Sequence, residues 1–188
     1  MANLNPTQTA SRDAAITMAG EFTTINAIEL LEADHRQVEE WFQQFEATEE
    51  AARKEAIAAD ICRALEVHTR LEEEIFYPAF LEATGSETIH HEAIVEHEGA
   101  KELIAKIRLS PGAGADDYLD ARVKVLAEMI QHHVNEEERP GGMFALAAIS
   151  GMDLKELGAR MERRKVQLMD DADTDLGYDE AVDRAEES

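Results

Sequence analysis

The chain has 188 residues, of which 44% are hydrophobic and only 5% aromatic. This length suits one domain of ordinary size with short extensions, and the abundance of Ala, Glu, Leu, Ile and Arg favours helices over sheets. The formal net charge of −23 argues against nucleic acid and anionic membrane surfaces as partners, because both would repel the chain.

Cysteine content and hydropathy exclude further kinds of site and of protein. Cys62 is the only cysteine, which excludes an intramolecular disulfide and a thiolate metal site. No segment reaches the roughly 20 apolar residues of a membrane-spanning helix, and the N-terminus lacks the basic and apolar pattern of a signal peptide. We therefore expect no membrane association and a cytoplasmic location.

The pattern along the chain predicts three regions. Residues 1–25 are small and polar and predict a flexible N-terminal arm. Residues 26–169 carry the periodicity of helices and form the expected domain. Residues 170–188 hold nine acidic residues against one arginine, which predicts a solvated, disordered tail.

The first two predicted helices follow from apolar residues spaced three and four apart. One begins near Asn26, and the next extends over about residues 51–83. Pro78 is expected to kink the second helix or to end its regular part, and Gly85 with Ser86 predicts its stop. The apolar faces contain Ile28, Leu31, His35, Val38, Phe42 and Phe45 in the first helix, and Ile57, Ile61, Leu65, His68, Glu72 and Ile75 in the second.

The sequence of the second half of the domain predicts two more long helices and a shorter one. The third helix covers about residues 88–108, and residues 110–117 (SPGAGADD) predict a loop whose aspartates cap the next helix. The fourth helix is broken by Pro140-Gly141-Gly142, and a fifth covers about residues 153–169. The apolar faces contain Ile94, His97 and Ile104 in the third helix, and Leu119, Val123, Leu126, Ile130, His133 and Glu137 in the fourth. This pattern predicts an all-α fold, an up-down-up-down four-helix bundle with an additional C-terminal helix.

One histidine lies on the apolar face of each long helix, and two of them are followed four residues later by a glutamate. A His and a Glu at this spacing share one helix face and can bind one ion. A buried carboxylate without a partner costs several kcal/mol, and a buried imidazole also needs hydrogen bonds. Metal cations would compensate all these groups at once. We therefore predict as metal ligands His35, His68, Glu72, His97, His133 and Glu137.

The second glutamate motif is ambiguous, since His132 and Glu136 have the same spacing as His133 and Glu137. His133 and Glu137 continue the apolar line of their helix, whereas the other pair is rotated off it by roughly 100°, so we favour His133 and Glu137. Tyr77 is expected to be a packed aromatic, although it follows the first motif closely. Ordinary polar roles are expected for His90, His91 and His132. The extra glutamates are expected to face outward or to support the ligands from behind; they are Glu73, Glu74, Glu136 and Glu138.

The order of motifs H, HxxxE, H, HxxxE resembles the hemerythrin-like family, which contains the HHE cation-binding domain. His35 in EADHR, HTRLEEEIFYP at residues 68–78, His97 in VEHEG and HVNEEE at residues 133–138 carry the resemblance, which covers about residues 26–168. It implies a four-helix bundle that holds two non-heme iron ions, bridged by carboxylates and by an oxo or hydroxo group.

Two departures from the family pattern concern oxygen carriage. The oxygen-carrying hemerythrins use a fifth histidine one turn from another on the third helix, whereas Ala93 and Lys101 stand one turn before and after His97. RPGG at residues 139–142 also replaces the apolar continuation usual after the second HxxxE motif. Both departures argue against reversible oxygen carriage and leave the diiron site itself intact.

The ligand set suggests what the site does. Four imidazoles and two carboxylates suit iron, and six protein ligands leave positions on two ions open for O2, peroxide or NO. We expect a diiron protein that binds or reduces O2 or peroxide, as a sensor, a scavenger or a weakly catalase- or peroxidase-like enzyme. The alternative is an iron- or oxygen-responsive interaction module with a structural or regulatory metal. A structural zinc bundle ranks lowest, because six ligands exceed the four that tetrahedral zinc uses.

Overall fold

The computed structural model describes residues 25–109 and 118–186, and side chains as far as Asp171. Over these ranges the chain forms helices and no strand, which confirms the predicted all-α fold. No described helix combines the length and the apolar character that crossing a membrane requires. The predicted loop at residues 110–117 with its capping aspartates, and the predicted arm up to residue 24, lie outside the described residues. The elements are α1 (Ala27–Ala47), α2 (Ala51–Leu71), a π-helical segment (Glu72–Phe76), α3 (Tyr77–Thr84), α4 (Glu87–Arg108), α5 (Leu119–Glu138), α6 (Met143–Ile149) and α7 (Leu154–Glu186).

Four long helical stretches build the predicted up-down-up-down bundle. They are α1, the continuous stretch from α2 to α3, α4 and α5, and each packs against the next along the chain. Short connections make neighbours antiparallel, and contacts between α5 and α1 close the bundle. The additional C-terminal helix, α7, packs across α1 and α2.

The start of α1 is held by capping hydrogen bonds of its own residues and by the close packing of α7 against it. The side-chain oxygen of Asn26 accepts hydrogen bonds from the backbone N–H groups of Ile28 and Glu29, and the Glu29 carboxylate accepts one from the N–H of Asn26. This reciprocal arrangement satisfies donors that the helix itself leaves unpaired. Gly158 of α7 lies so close that a Cβ atom there would stand 2.3 Å from the carbonyl oxygen of Ile25. A glycine at this position therefore lets α7 pack tightly against the first turn of α1.

The second helical stretch changes its hydrogen bonding directly after the first HxxxE motif. In the segment Glu72–Phe76 the helix widens, and the N–H of Tyr77 donates to the carbonyl of Glu72, five residues earlier. Pro78 has no N–H to donate, and its ring would crowd the carbonyl four residues earlier in a regular α-helix. The regular part of the helix therefore ends before Pro78, as predicted, while the chain stays helical through α3.

Two glycines turn the chain after α5, which ends one residue beyond Glu137. Gly141 adopts a left-handed conformation with φ of +81°. The N–H of Gly142 donates to the carbonyl of Arg139 at 2.8 Å. A Cβ atom at Gly142 would lie 2.3 Å from the carbonyl oxygen of Glu136 and 2.7 Å from that of Glu137. The RPGG segment therefore closes tightly on the carboxyl end of α5.

Replacing Gly142 by alanine should destabilise the protein by about 1–3 kcal/mol, because the added methyl group forces the backbone apart. Urea unfolding of the metal-free protein measures this effect. Gly99→Ala is the matched control, since its Cβ would meet only the mobile end of Met129, at 2.8 Å. Alanine is also the better helix former by about 1 kcal/mol, so this variant should be neutral or more stable. Unchanged stability of Gly142→Ala would contradict the tight turn.

Helix α7 continues to Glu186, whereas the sequence pattern predicts its end at about residue 169. No proline follows residue 140 to stop it, although residues 170–186 hold more aspartate than the stronger helix formers alanine and glutamate. The helical backbone thus extends through most of the region for which a disordered tail is expected. The solvated character of residues 170–188 and the domain boundaries stay predictions.

A polar layer divides the core of the bundle into two apolar clusters. On α1, His35 lies between Leu31 of one cluster and Val38 of the other. The first cluster includes Leu31, Leu71, Phe76, Phe80, Phe144 and Met161, and the second includes Val38, Ile61, Leu65, Ile104, Leu126 and Ile130. The polar layer is therefore shielded by apolar side chains towards both ends of the bundle.

Candidate metal centre

The six side chains predicted as metal ligands come together in this polar layer. They are His35 of α1, His68 of α2, Glu72 of the π-helical segment, His97 of α4, and His133 and Glu137 of α5. None of the six exposes more than 4% of its surface. Burial of two carboxylates and four imidazoles is unfavourable unless each has a partner. Their contacts therefore indicate what the layer can bind.

The four histidines form two pairs whose Nε2 atoms face each other. The Nε2 atoms of His35 and His68 lie 3.1 Å apart, and those of His97 and His133 lie 3.2 Å apart. In both pairs the ring centroids are separated by 4.7 Å. All four Nε2 atoms therefore point into the interior of the layer.

Glu72 stands between the two histidine pairs. Its Oε2 atom lies 3.2 Å from the Nε2 atoms of both His68 and His97. With His35 and His68 it forms one group of ligand atoms that all lie within 4.8 Å of one another, and with His97 and His133 it forms a second. Glu72 is thus placed where two metal ions could share it.

Glu137 links the other two histidines. Its Oε2 atom lies 3.5 Å from Nε2 of His35 and 3.6 Å from Nε2 of His133. Each carboxylate of the layer therefore approaches one histidine from each pair. A centre of two ions, each with two imidazoles and shared carboxylates, matches this arrangement.

Each histidine also has a carboxylate behind it, at its Nδ1 atom. The four contacts are His35 with Glu138 (2.8 Å), His68 with Asp34 (3.7 Å), His97 with Glu73 (3.0 Å) and His133 with Glu96 (2.8 Å). The contact to His68 is longer than a hydrogen bond. Acceptors at Nδ1 fix the ring orientation and leave Nε2 available to a metal ion.

The outer carboxylates are held in turn by positively charged or basic groups. These pairs are Glu138 with Arg36, Asp34 with Lys165, Glu73 with Lys101 and Glu96 with His132. Lys101, one turn after His97, therefore reaches the site only through Glu73, which it contacts at 2.5 Å. Glu73 and Glu138 therefore support inner histidines from behind. Glu74 and Glu136 face outward and pair with Arg164 and Arg139.

The hydrogen bonds at Nδ1 create a conflict inside the layer. His97 and His133 both use Nδ1 for a carboxylate, so their Nε2 atoms present lone pairs to each other at 3.2 Å. Both carboxylate oxygens of Glu72 and Oε2 of Glu137 have no hydrogen-bond partner among the described residues. A cation between these atoms removes the repulsion and satisfies the oxygens. The residues present therefore fit a metal centre.

Burial and mutual charge determine where protons reside without a metal. Burial raises the pKa of Glu137 to about 8, and the charge of Glu72 adds to the shift. Burial pushes the pKa of Glu72 in the same direction, but His68 and His97 outweigh it and hold that pKa well below its usual value. Burial disfavours protonated His68, yet the charge of Glu72 raises its pKa to about 10. At neutral pH the metal-free site thus holds one proton on Glu137 and one on His68.

Tyr77 belongs to the site, although the sequence favours a role as a packed aromatic. It is fully buried, and its hydroxyl donates to Oε1 of Glu137 at 3.1 Å and lies 3.2 Å from Nε2 of His97. Burial and the charges of Glu72 and Glu137 raise the pKa of Tyr77 well above its usual value, so it keeps its proton. The π-helical segment causes this placement, because it puts Tyr77 rather than Phe76 one turn beyond Glu72.

Burial distinguishes the two registers of the second motif. His133 and Glu137 are buried, whereas the side chain of His132 is 66% exposed and that of Glu136 is 41% exposed. His132 contacts the layer only through Glu96, at 3.2 Å. The inward-facing pair is therefore the one that the apolar line of α5 predicts.

The arrangement corresponds to a known family. A family model described as the hemerythrin HHE cation binding domain matches residues 26–140, more than half of the chain. The chain belongs to the hemerythrin HHE cation-binding domain family. This confirms the resemblance based on the order of the four motifs. Helix α7 of this HHE protein follows the matched residues and supplies Lys165 to the surroundings of His68.

Two similar proteins extend the comparison. The crystal structure of a hemerythrin HHE cation binding domain-containing protein from Mycobacterium kansasii, a homologue of Rv2633c, has a TM-score of 0.66 and 24% identity, and the match covers 81% of this chain and 92% of that one. This likeness concerns the fold. A DNA nickase from Nostoc sp. is 27% identical over 126 residues, which are 66% of this chain and 35% of the nickase. The chain thus spans about a third of the length of that curated relative.

Proposed function

We propose that this HHE domain is a non-heme diiron protein that binds or reduces O2 or peroxide. The observation that carries the proposal is the buried layer of inward-facing imidazoles and carboxylates, in which three described carboxylate oxygens lack hydrogen-bond partners. Nitrogen and oxygen ligands of this kind suit iron. His35 and His68 would hold one ion and His97 and His133 the other, and both ions would share Glu72 and Glu137.

The protein groups have separate tasks in this proposal. Iron with open coordination positions supplies the chemistry of O2 or peroxide binding and reduction. The outer carboxylates keep the Nδ1 protons on the rings of His35, His97 and His133, so that their Nε2 atoms face inward. Tyr77 holds a proton 3.1 Å from Glu137, where it can donate a hydrogen bond inside the site. The apolar clusters on both sides exclude bulk water from the layer.

Metal analysis and peroxide consumption test the proposal. Protein from iron-supplemented cells should contain about two irons per chain, because two groups of ligand atoms share Glu72. Zinc in their place, or no metal, would contradict the diiron assignment. Oxygen evolution from added peroxide by the iron-loaded protein indicates catalase-like turnover. An O2 adduct that forms on the reduced protein and reverses under vacuum indicates carriage instead.

Adjacent histidines on α5 should differ sharply in metal affinity when replaced. His133→Ala removes an inward-facing imidazole and should lower iron affinity by more than about 100-fold, whereas His132→Ala should cost at most about tenfold through its contact with Glu96. Iron content after dialysis against a weak chelator measures both variants. Loss of iron from His132→Ala with retention in His133→Ala would move the site to the other register.

A second candidate function is an iron- or oxygen-responsive interaction module. Helix α7 favours it, because Lys165 contacts Asp34 behind His68, and Arg164 binds Glu74 through two hydrogen bonds of 2.7 and 3.1 Å. These contacts connect the polar layer to the helix that carries the acidic C-terminal residues. Hydrogen exchange measured with and without iron discriminates the candidates. Protection of α7 by iron, without peroxide consumption, would favour the module.

The net charge of the chain bears on which partners this proposal allows. The net charge of −23 supports the expectation that the chain binds neither nucleic acid nor anionic membranes. A cytoplasmic location stays a prediction. The nicking activity of the Nostoc relative belongs to a longer protein and is not part of the proposal.

A further inference from the structure

A small cavity reaches the candidate metal centre from the side of α4 and α5. Its volume is about 20 Å³, and its lining includes the buried residues Ala93, His133, Glu137 and Met143. A cavity needs roughly 10–15 Å³ to hold one water molecule, so this one admits a ligand of that size. Its outer rim includes Glu92 and other residues exposed at the surface. The cavity therefore connects the outside of the bundle with two residues of the centre.

The lining of the cavity includes Glu137 and His133, two residues of the candidate metal centre. Oε2 of Glu137 is buried and makes no hydrogen bond to a described residue. Met143 at the start of α6 and Ala93 of α4 are the other buried residues of the lining. The side chain of Ala93 is a single methyl group. Any larger apolar side chain at residue 93 would take up the space.

The charges around the cavity select against anions. Glu92, Glu96 and Glu136 contribute three carboxylates to the lining, and Arg139 contributes one guanidinium. The guanidinium of Arg139 is paired with Glu136 at 2.7 Å, so it is not directed at an incoming ligand. Anionic ligands would meet an excess of negative charge on the way in. Small uncharged molecules meet no such barrier.

We propose that this cavity, defined by Ala93, His133, Glu137 and Met143, is the route and binding pocket for a small uncharged ligand such as O2, nitric oxide or hydrogen peroxide. The ligand reaches the centre beside His133 and Glu137, and Ala93 sets the space available. This inference rests on the proposed diiron function for its ligand class. The existence of the route does not depend on the metal and can be tested without it.

Nitric oxide binding to the reduced, iron-loaded protein tests the pocket. Ala93→Val should slow nitric oxide association by about tenfold or more, because one side chain fills the space that the ligand crosses. Ala100→Val is the matched control, since Ala100 is also buried on α4 but does not line the cavity. The control should keep the rate of the parent protein. Stopped-flow absorbance measures the rate, and iron content and thermal stability are determined for each variant.

A cysteine variant tests the route in metal-free protein and avoids overpacking. Ala93→Cys should be oxidised by hydrogen peroxide, which is small and uncharged, at least about tenfold faster than Ala100→Cys. The native Cys62 adds little background, because burial raises its pKa to about 12.

The outcomes separate the pocket from the proposed function. A parent protein that takes up no iron contradicts the diiron function, while the thiol reactions still decide whether the route exists. An iron-loaded parent whose nitric oxide rate is unaffected by Ala93→Val contradicts the pocket alone. Equal reactivity of the two cysteine variants contradicts it independently.

Discussion

Replacing Glu72 by glutamine should abolish tight binding of both metal ions. Glu72 is the one residue common to both groups of ligand atoms, and its two oxygens have no other partner among the described residues. The amide keeps the size of the side chain but presents an uncharged oxygen and an N–H donor to the ions. We expect iron affinity to fall by more than about 100-fold at both positions, which exceeds the loss typical of a supporting residue.

The two following glutamates are matched controls for this change, because all three stand in one segment. Glu73→Gln replaces the charged acceptor behind His97 by a neutral amide oxygen and should cost about 10–100-fold in affinity. Glu74 is 42% exposed and pairs with Arg164, so Glu74→Gln should leave affinity unchanged. Anaerobic titration with ferrous iron measures all three variants, and circular dichroism checks that each stays folded. Parental affinity at one of the two positions in Glu72→Gln would show that the ions do not share this carboxylate.

The positions of the six inner side chains can be predicted from sequence because they follow from helical periodicity. His68 and Glu72 lie four residues apart on the apolar face of one helix, and burial of that face turns both inward. The same argument separates His133 from His132, whose neighbouring positions differ by one residue and by roughly 100° of rotation. The spacing of residues along each helix is therefore sufficient to predict the bundle and the inward orientation of the six inner side chains.

The contacts around the candidate centre join residues that are far apart in the sequence, so the spacing of residues within one helix does not predict them. The hydrogen bond between His35 and Glu138 joins residues 103 apart, and the pair of Asp34 and Lys165 joins residues 131 apart. Tyr77 reaches Glu137 only because the helix widens before Pro78, which a regular period of 3.6 residues does not predict. Helix α7 extends beyond its predicted end for a related reason, since a run of charge does not by itself end a helix.

Metal binding should also be strongly coupled to protons. Without metal, His68 with a pKa of about 10 and Glu137 with a pKa of about 8 are both protonated at pH 7. Metal ligands must be deprotonated, so loading the centre at pH 7 should release about two protons per chain from these groups alone. Titration of ferrous iron in buffers of different ionisation enthalpy counts them. Release of fewer than one proton per chain would contradict these protonation states.

The stabilities of the iron-loaded and the metal-free protein should therefore diverge as the pH rises. Both folded-state pKa values are raised, so the stability that these protons give the metal-free protein is lost as the pH rises through about 8 and then about 10. Iron needs the same sites deprotonated, so its affinity should increase by up to about tenfold per pH unit for each proton released. Thermal unfolding at pH 6, 7 and 8 should show a widening gap between iron-loaded and metal-free protein. A gap that stays constant over this range would mean that Glu137 already lacks its proton, and that the charge of Glu72 is balanced in some other way.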